Sequence, residues 1–214
     1  MGHPIALTLT LAAGSATAIA LAQARGSAGN LTLNGAAVSA GVATLSPARR
    51  VAIASVGDDS GITWTVTGTD RFGNAQVETI TGATAGNSVA TTQDFLTVTR
   101  IASSGAAAGN VTAGTNNTAS TQWVPWDTYA FDYQISCYGV VQAGSPTWQV
   151  DKTYDDVFGT WLPSGVPFPR SITDLTLNGL TATADGYIPA PCRATRLTLV
   201  AAGTVQLEQI QQGY

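Results

Sequence analysis

The near absence of lysine and glutamate is the feature that most constrains the fold of this chain. Its 214 residues include one lysine, Lys152, and two glutamates, Glu78 and Glu208. Such unbranched residues favour helices, whereas the threonine, valine and glycine that are abundant here favour strands and turns. The sequence therefore predicts an all-β protein and excludes a helical bundle or a coiled coil.

Alternating apolar residues and regularly spaced turn residues support this prediction. The clearest unit is a β-hairpin, in which strands at 62–68 and 75–82 flank a connection that contains Asp, Gly and Asn. These residue types tolerate the backbone conformations that tight turns need. One face of the hairpin is expected to be buried, and its apolar residues are Ile62, Trp64, Val66, Val77 and Ile80.

The N-terminal region allows two interpretations. Residues 6–13 are apolar and Ala22-Gln23-Ala24 resembles a cleavage site, as in a secretory signal. However, no Lys or Arg precedes the apolar stretch, and residues 5–11 alternate with a period of two. We therefore predict a strand at 5–11 that forms a hairpin with 15–23.

The composition changes near residues 114–122, which are small, polar and aperiodic. This pattern is typical of a linker. We predict two β-sandwich-like modules in tandem, residues 1–115 and 122–214, joined by this short polar segment. The motif Leu-Thr-Leu-Asn-Gly occurs at 31–35 and again at 175–179, which favours a similar architecture in both.

Charge and cysteine content limit the partners that the chain can have. The formal net charge is −4 and the longest basic run is Arg49-Arg50, so nucleic-acid binding is not expected. No apolar stretch approaches the roughly 18 residues of a membrane-spanning helix, so no membrane partner is predicted. Cys137 and Cys192 lack metal-site spacing. We expect two buried thiols, with a disulfide as the alternative.

Residue types for catalysis are scarce. The single histidine, His3, stands at the N-terminus, where it is poorly placed for acid–base chemistry. Asp151, Asp155 and Asp156 could pair as in a glycosidase, but aspartate is also a common turn residue, and we expect solvated turn aspartates. The same holds for residues 58–61. No catalytic residue, metal or cofactor is predicted, and the chain is not expected to be an enzyme.

Aromatic residues are concentrated in the second half of the chain, which contains four of the five tryptophans. The cluster at 123–129, with Tyr133, Tyr138, Trp148 and Trp161, could form a sugar-binding platform. It could equally supply a sandwich core or a protein interface, which we favour because aromatic side chains are common in both.

The segment at 160–170 is too apolar for a free loop, and its three prolines exclude a central strand. We predict that it docks on another protein chain. The alternative is that it folds back on its own module. The predicted interface residues are Trp161, Leu162, Val166, Phe168 and Arg170.

Several motifs together resemble a recurrent family of small virion proteins of tailed bacteriophages. They are Leu-Thr-Leu-Asn-Gly at 31–35, Arg-Arg-Val at 49–51, Gly-Ile-Thr-Trp-Thr-Val-Thr-Gly-Thr-Asp at 61–70, Gly-Asn at 73–74, Glu-Thr-Ile-Thr-Gly at 78–82, Arg-Leu-Thr-Leu at 196–199, Gly-Thr-Val at 203–205 and Ile-Gln-Gln-Gly at 210–213.

This resemblance implies a non-enzymatic structural role in a virion assembled in the bacterial host cytoplasm. The expected function is head decoration that stabilises the capsid, with the major capsid protein or other virion proteins as partners and a homo-oligomeric arrangement. A neck or tail accessory protein is the first alternative. A secreted adhesin or carbohydrate-binding module is the second, and cleavage after Ala24 would favour it.

Overall fold

The computed structural model describes residues 4–128, 134–158 and 169–212 of the chain, which form β-strands and no helix. The all-β prediction is therefore confirmed. In chain order the strands are β1 (Ile5–Leu11), β2 (Ala20–Ala24), β3 (Gly29–Asn30), β4 (Val38–Ser39), β5 (Val42–Ser55), β6 (Thr63–Thr69), β7 (Ala75–Thr81), β8 (Ser88–Ser103), β9 (Asn110–Thr115), β10 (Ala119–Ser120), β11 (Val124–Pro125), β12 (Gln134–Gly144), β13 (Trp148–Thr153), β14 (Ile172–Thr173), β15 (Ala184–Ile188), β16 (Ala194–Leu199) and β17 (Gly203–Gln212).

The chain forms two compact units. The inserted unit is Ala13–Ala119, and the split unit combines Met1–Ala12 with Ser120–Tyr214. The N-terminal strand thus belongs with the C-terminal half, and the two units are not arranged simply one after the other along the chain.

The inserted unit contains one eight-stranded antiparallel sheet. Its main order is β2-β9-β5-β8-β6-β7, with β3 paired to β8 and β4 to β5. One buried cluster forms its core and includes Ile53, Trp64, Val66, Phe95 and Ile101. The long strands β5 and β8 pair with register shifts at residues 44–49 and 50–52, and such bulges increase the local twist of a sheet.

The predicted hairpin is present as β6 and β7. Asp70 organises its turn, because its Oδ1 accepts hydrogen bonds from the backbone amides of Phe72 at 2.8 Å and Asn74 at 2.9 Å. Gly73 has φ of 84°, a left-handed conformation that glycine adopts without strain.

The predicted buried face of this hairpin needs one correction. Trp64 and Val66 are buried, and Ile62 and Ile80 pack against the core while partly exposed. Val77, however, is 53% exposed. The register pairs it with Thr67, whereas Trp64 faces Ile80. Directly opposed residues share a face, so Val77 lies on the side away from Trp64.

The split unit contains two antiparallel sheets. One has the order β1-β17-β12-β15, and the other has the order β10-β16-β13-β14, with β11 also paired to β16. Side chains from both are fully buried, including Ile135 and Leu207 from the first and Trp148, Val150 and Leu197 from the second. Gly139 of β12 lies directly against the Trp148 ring of β13, so the two sheets pack face to face as in a sandwich.

The structure confirms a strand at Ile5–Leu11 but not the predicted N-terminal hairpin. This strand, β1, pairs with β17 from Ile5 opposite Gln209 to Leu11 opposite Gly203. β2 pairs instead with β9. Leu9 and Leu11 are buried in the split unit. The apolar side of β1 is therefore covered in the unit that also contains its partner strand β17, almost 200 residues away.

The segment predicted as a polar linker is held in place by hydrogen bonds. Thr115 ends β9, and Ser120 belongs to β10. The Thr121 amide donates to the Leu197 carbonyl at 2.8 Å, and the Leu197 amide donates to Thr121 Oγ1 at 3.0 Å. Small polar residues occur both in closely paired strands and in flexible linkers. The composition of this segment alone therefore did not show that it pairs.

Residues 175–177 alternate between apolar and polar types, as in a strand, but they do not form one. This stretch is a turn, in which Asp174 Oδ1 accepts hydrogen bonds from Thr176 at 3.0 Å and from the amide of Leu177 at 3.3 Å. Leu177 is buried against Gly186, while Leu175 is 94% exposed. The alternating pattern therefore reflects a turn in which the Leu177 side chain is buried and the Leu175 side chain points to solvent.

Candidate functional site

The predicted interface is only partly described by the structure. Trp161, Leu162, Val166 and Phe168 lie outside the described residues. Arg170 is described and is largely exposed. The structure therefore leaves the predicted interface as a prediction and shows what holds the chain on either side of it.

Asp155 and Arg170 connect the two ends of this segment. The Arg170 Nε and Nη2 atoms donate to the two oxygens of Asp155 at 2.9 and 2.7 Å, and the Arg170 amide adds a bond of 2.7 Å. These bonds hold the pKa of Asp155 at about 2, with the side-chain bonds as the largest cause. The bidentate geometry fixes residues 155 and 170 side by side.

Large apolar side chains are exposed close to these anchored ends. Phe158 is 75% exposed and Tyr154 52%, while Ile172 and Leu175 are 45% and 94% exposed. Lys152 pairs with Ile172 between β13 and β14, so the two strands are neighbours, with β14 at the edge of the five-stranded sheet. We call Tyr154, Phe158, Ile172 and Leu175 the apolar rim.

Asp151, Asp155 and Asp156, the candidates for a glycosidase pair, were expected to be solvated turn residues. This expectation is wrong, because all three are buried. Asp151 accepts hydrogen bonds from Thr198 at 2.7 Å and Gln149 at 2.8 Å, and Arg196 lies 3.4 Å away. Burial raises its pKa, but Arg196 and the hydrogen bonds outweigh burial and hold the pKa below its ordinary value. Asp151 therefore joins β13 to β16.

Asp156 has a similar structural role. Its Oδ1 accepts the amide of Phe158 at 3.0 Å, with Arg193 at 3.8 Å. Elsewhere, Asp59 is buried and accepts the amide of Ala108 at 2.8 Å, whereas Asp58 is exposed and caps Ser60 as expected of a turn aspartate. These contacts satisfy backbone groups that would otherwise lack partners.

The aromatic cluster does not form a single platform among the described residues. Trp148 is fully buried in the core of the split unit, as the core interpretation expects. Trp123 stacks against the Arg196 guanidinium at 4.4 Å, and Trp126 Nε1 donates to Thr195 Oγ1 at 2.7 Å. Tyr138 is 46% exposed and lies on a different sheet. Tyr129, Tyr133 and Trp161 lie outside the described residues.

Neither cysteine forms a disulfide and both are buried, which confirms the expectation of two buried thiols. Cys137 lies on the core-facing side of β12, and burial raises the pKa of its thiol to about 11. Within the described ranges, no three His, Cys, Asp or Glu side chains are grouped so that they could hold a metal ion. The same ranges contain no helix that could span a bilayer.

A groove of about 420 Å³ lies on the β15-β12-β17 sheet, on the face that carries Ser136 and Tyr138. We call it the tyrosine groove. Its lining residues are Gln134, Ser136, Cys137, Tyr138, Asp185, Gly186, Tyr187, Glu208 and Ile210.

Among these residues, only Cys137 and Tyr138 stood out in the sequence, as a buried thiol and as part of the aromatic cluster. Gln134 and Ser136 lie on the same strand, β12. The rest come from strands about 50 and 70 residues further along the chain, and nothing in the sequence states which strands are neighbours. The one local signal was alternation, since polar and aromatic residues occupy every second position of 134–138.

Comparisons with known proteins do not assign a family. No family model matches the chain, and no curated protein matches it. One solved structure with weak similarity is BpGH86A, a β-porphyranase of glycoside hydrolase family 86 from the human gut bacterium Bacteroides plebeius. It is 8% identical over 86% of this chain, with a TM-score of 0.18, and the chain spans 38% of that enzyme's length. At this level the similarity carries no argument.

Proposed function

We propose that this protein is a non-enzymatic structural protein of a bacteriophage virion. In this proposal it decorates the head in many symmetric copies, contacts the major capsid protein or another virion protein, and is assembled in the bacterial host cytoplasm. Attachment at the neck or tail is the alternative within the same class. The resemblance of the β-hairpin and turn motifs to small phage virion proteins supports the class.

The apolar rim is the observation that carries the proposal. Leu175 and Phe158 expose most of their side chains, and Tyr154 and Ile172 about half of theirs. Scattered apolar residues are normal on protein surfaces, but these four lie within 22 residues of sequence, in β14 or in the segments that follow β13 and β14. Burying one large aliphatic or aromatic side chain contributes roughly 1.5–3 kcal/mol, so the rim is suited to a protein contact.

The Asp155–Arg170 contact makes this surface suitable for docking. It holds the chain on both sides of 159–168 in one arrangement before any partner binds. A surface that is already ordered loses less conformational entropy on binding. The three prolines of the predicted interface restrict the chain in the same way.

Copy number is the first test of this proposal. Particles purified from the phage that encodes the chain are analysed by quantitative mass spectrometry against the major capsid protein. Head decoration predicts copies on the order of hundreds per particle, and neck or tail attachment predicts about a dozen or fewer, because each follows the symmetry of its site. Absence of the chain from particles, with its N-terminus processed after Ala24 in the secreted fraction, would instead support the adhesin class.

A matched pair of variants tests the apolar rim. Phe158→Ser with Leu175→Ser is expected to reduce incorporation into particles strongly. The control, Phe72→Ser with Val56→Ser, removes side chains of the same kinds that are 67% and 72% exposed in the inserted unit, and it is expected to be incorporated normally. Equal incorporation of the two double variants would contradict the role of the rim. Circular dichroism establishes that both remain folded.

A further inference from the structure

We propose that the tyrosine groove binds an arginine side chain presented by a neighbouring protein. This inference concerns a second surface, different from the apolar rim, and it rests on the proposed function only in taking the arginine from another protein. The groove combines a shape, a charge and an aromatic ring that together match a guanidinium group.

The first element is a row of three side chains across neighbouring strands. In the register of the sheet, Tyr138 of β12 stands directly opposite Asp185 of β15 on one side and Glu208 of β17 on the other. All three line the groove, so the exposed ring of Tyr138 is flanked by two carboxylates. A cation placed on this ring is attracted by the face of the ring and by both acids.

No positively charged side chain among the lining residues neutralises the negative charge of this row. Glu208 Oε1 accepts a hydrogen bond from the neutral amide of Gln206 at 3.2 Å. None of the side chains that line the groove is lysine or arginine. The groove is thus negative and complementary to a positively charged group.

The spacing of the row favours arginine over lysine. Two strand intervals of 4.7–4.9 Å separate Asp185 from Glu208, so their backbones are about 9.5 Å apart. A guanidinium that donates from opposite edges spans about 8 Å between its two acceptor oxygens, because each N–H···O bond is about 2.8 Å long. The ammonium group of lysine is more compact than this span. The guanidinium of arginine is flat, so it can also stack on the tyrosine ring.

The second element accommodates the aliphatic part of the arginine. Ser136 is two residues before Tyr138 on the same face of β12, and it stands opposite Tyr187 and Ile210 on the adjacent strands. The small serine between two large, half-exposed side chains leaves a trough. The trough lies about 7 Å from the row, a distance that the arginine side chain covers with its methylene groups in apolar contact.

The experiment titrates a short peptide into the full-length, ¹⁵N-labelled protein and follows the backbone amides by NMR. The probe is acetyl-Gly-Ser-Arg-Ser-Gly-amide, and two matched peptides carry citrulline or lysine in place of arginine. We expect saturable shifts at Ser136, Tyr138 and Gly186 with the arginine peptide. We expect no saturable shifts with citrulline, which has the same shape without charge, and weaker binding with lysine.

Three protein variants complete the test. Asp185→Asn and Glu208→Gln each keep the shape of the side chain and are expected to weaken binding about tenfold, since each removes the negative charge from one hydrogen-bond acceptor. Asp58→Asn removes the same charge from an exposed site in the inserted unit and is expected to leave the affinity unchanged.

Several results would overturn the inference. These are the absence of saturable shifts with the arginine peptide, equal binding of the citrulline or lysine peptide, and equal weakening by Asp58→Asn. Saturable shifts produced by a neutral trisaccharide such as chitotriose, without peptide binding, would show a sugar site instead. Because the titration uses no particles, its failure leaves the virion proposal standing, and absence of the chain from particles leaves the groove chemistry standing.

Discussion

Replacing Gly139 with alanine tests whether the two sheets of the split unit pack as described. A methyl group at this position would strike Cη2 of Trp148 and would lie 2.5 Å from Cζ2 and 2.8 Å from Cζ3. Ordinary contacts between carbon atoms are about 3.5–4.0 Å, so the ring would have to move by more than about 1 Å. Trp148 is fully buried, and its Nε1 donates to the Ala182 carbonyl at 3.0 Å. We expect Gly139→Ala to cost about 3 kcal/mol, the upper end for overpacking.

A second substitution separates this contact from a general effect of alanine in a strand. Trp148→Phe removes the outer part of the indole, which includes the atoms that the new methyl group would strike. Alone, it is expected to cost about 2 kcal/mol through the cavity it leaves. In the double variant the methyl group fills part of that cavity, so we expect a total near 2 kcal/mol instead of about 5 kcal/mol for independent changes.

The assay is urea unfolding followed by circular dichroism, since tryptophan fluorescence changes with the substitution itself. Hydrogen exchange of the β12 amides identifies the transition that belongs to the split unit. Gly61→Ala is the control, because nothing lies within 4 Å of a methyl group there, and it is expected to cause no loss of stability. Additivity of the Gly139 and Trp148 effects within about 0.5 kcal/mol would refute the packing described.

Three further predictions follow from burial and charge. Trp64→Ala is expected to cost about 3–5 kcal/mol, whereas Val77→Ala on the opposite face is expected to change stability by less than about 0.5 kcal/mol in the same urea assay; equal losses would contradict the hairpin register. The pKa of Asp155 is lowered to about 2, below its ordinary value of about 3.9. Its contribution to the stability of the folded protein is therefore complete at pH values above about 3.9 and is lost as the pH falls toward 2. The difference in melting temperature between the wild type and Asp155→Asn should therefore be constant above about pH 5 and should shrink between about pH 4 and pH 2, and a constant difference down to pH 2 would refute this. Because burial raises the pKa of Cys137 to about 11 and Cys192 is also buried, neither thiol should react with Ellman's reagent at pH 8 until the protein is unfolded, so that rapid labelling of the native protein would contradict their burial.

Local pattern was sufficient to locate three strands and one turn. Alternation with a period of two located β1, β6 and β7, and the Asp-Arg-Phe-Gly-Asn sequence located the turn between the last two. It also identified the tryptophan at the centre of the inserted unit's core, because a large apolar residue flanked by threonines has one buried side. These features depend on residues within a few positions of one another, and the sequence displays them directly.

Pairing over long distances was not predictable in the same way. The alternation of Ile5–Leu11 requires a partner strand but does not identify it, and the partner is Gly203–Gln212. Val77 fits either face of its hairpin until the register is known. A shift of one residue in register moves every side chain to the other face, so the buried set follows from tertiary packing.

The tyrosine groove shows the same limit for function. The sequence by itself determined an all-β chain with low charge, buried thiols and an apolar proline-rich segment. Only the tertiary structure placed Asp185 and Glu208 on the two sides of Tyr138, and only it buried Asp151 beside Arg196. The physical reason is that strand neighbours are selected by the burial of a whole sheet face, which sums contacts from residues far apart in the chain, whereas the period and turn chemistry of each strand are encoded within it.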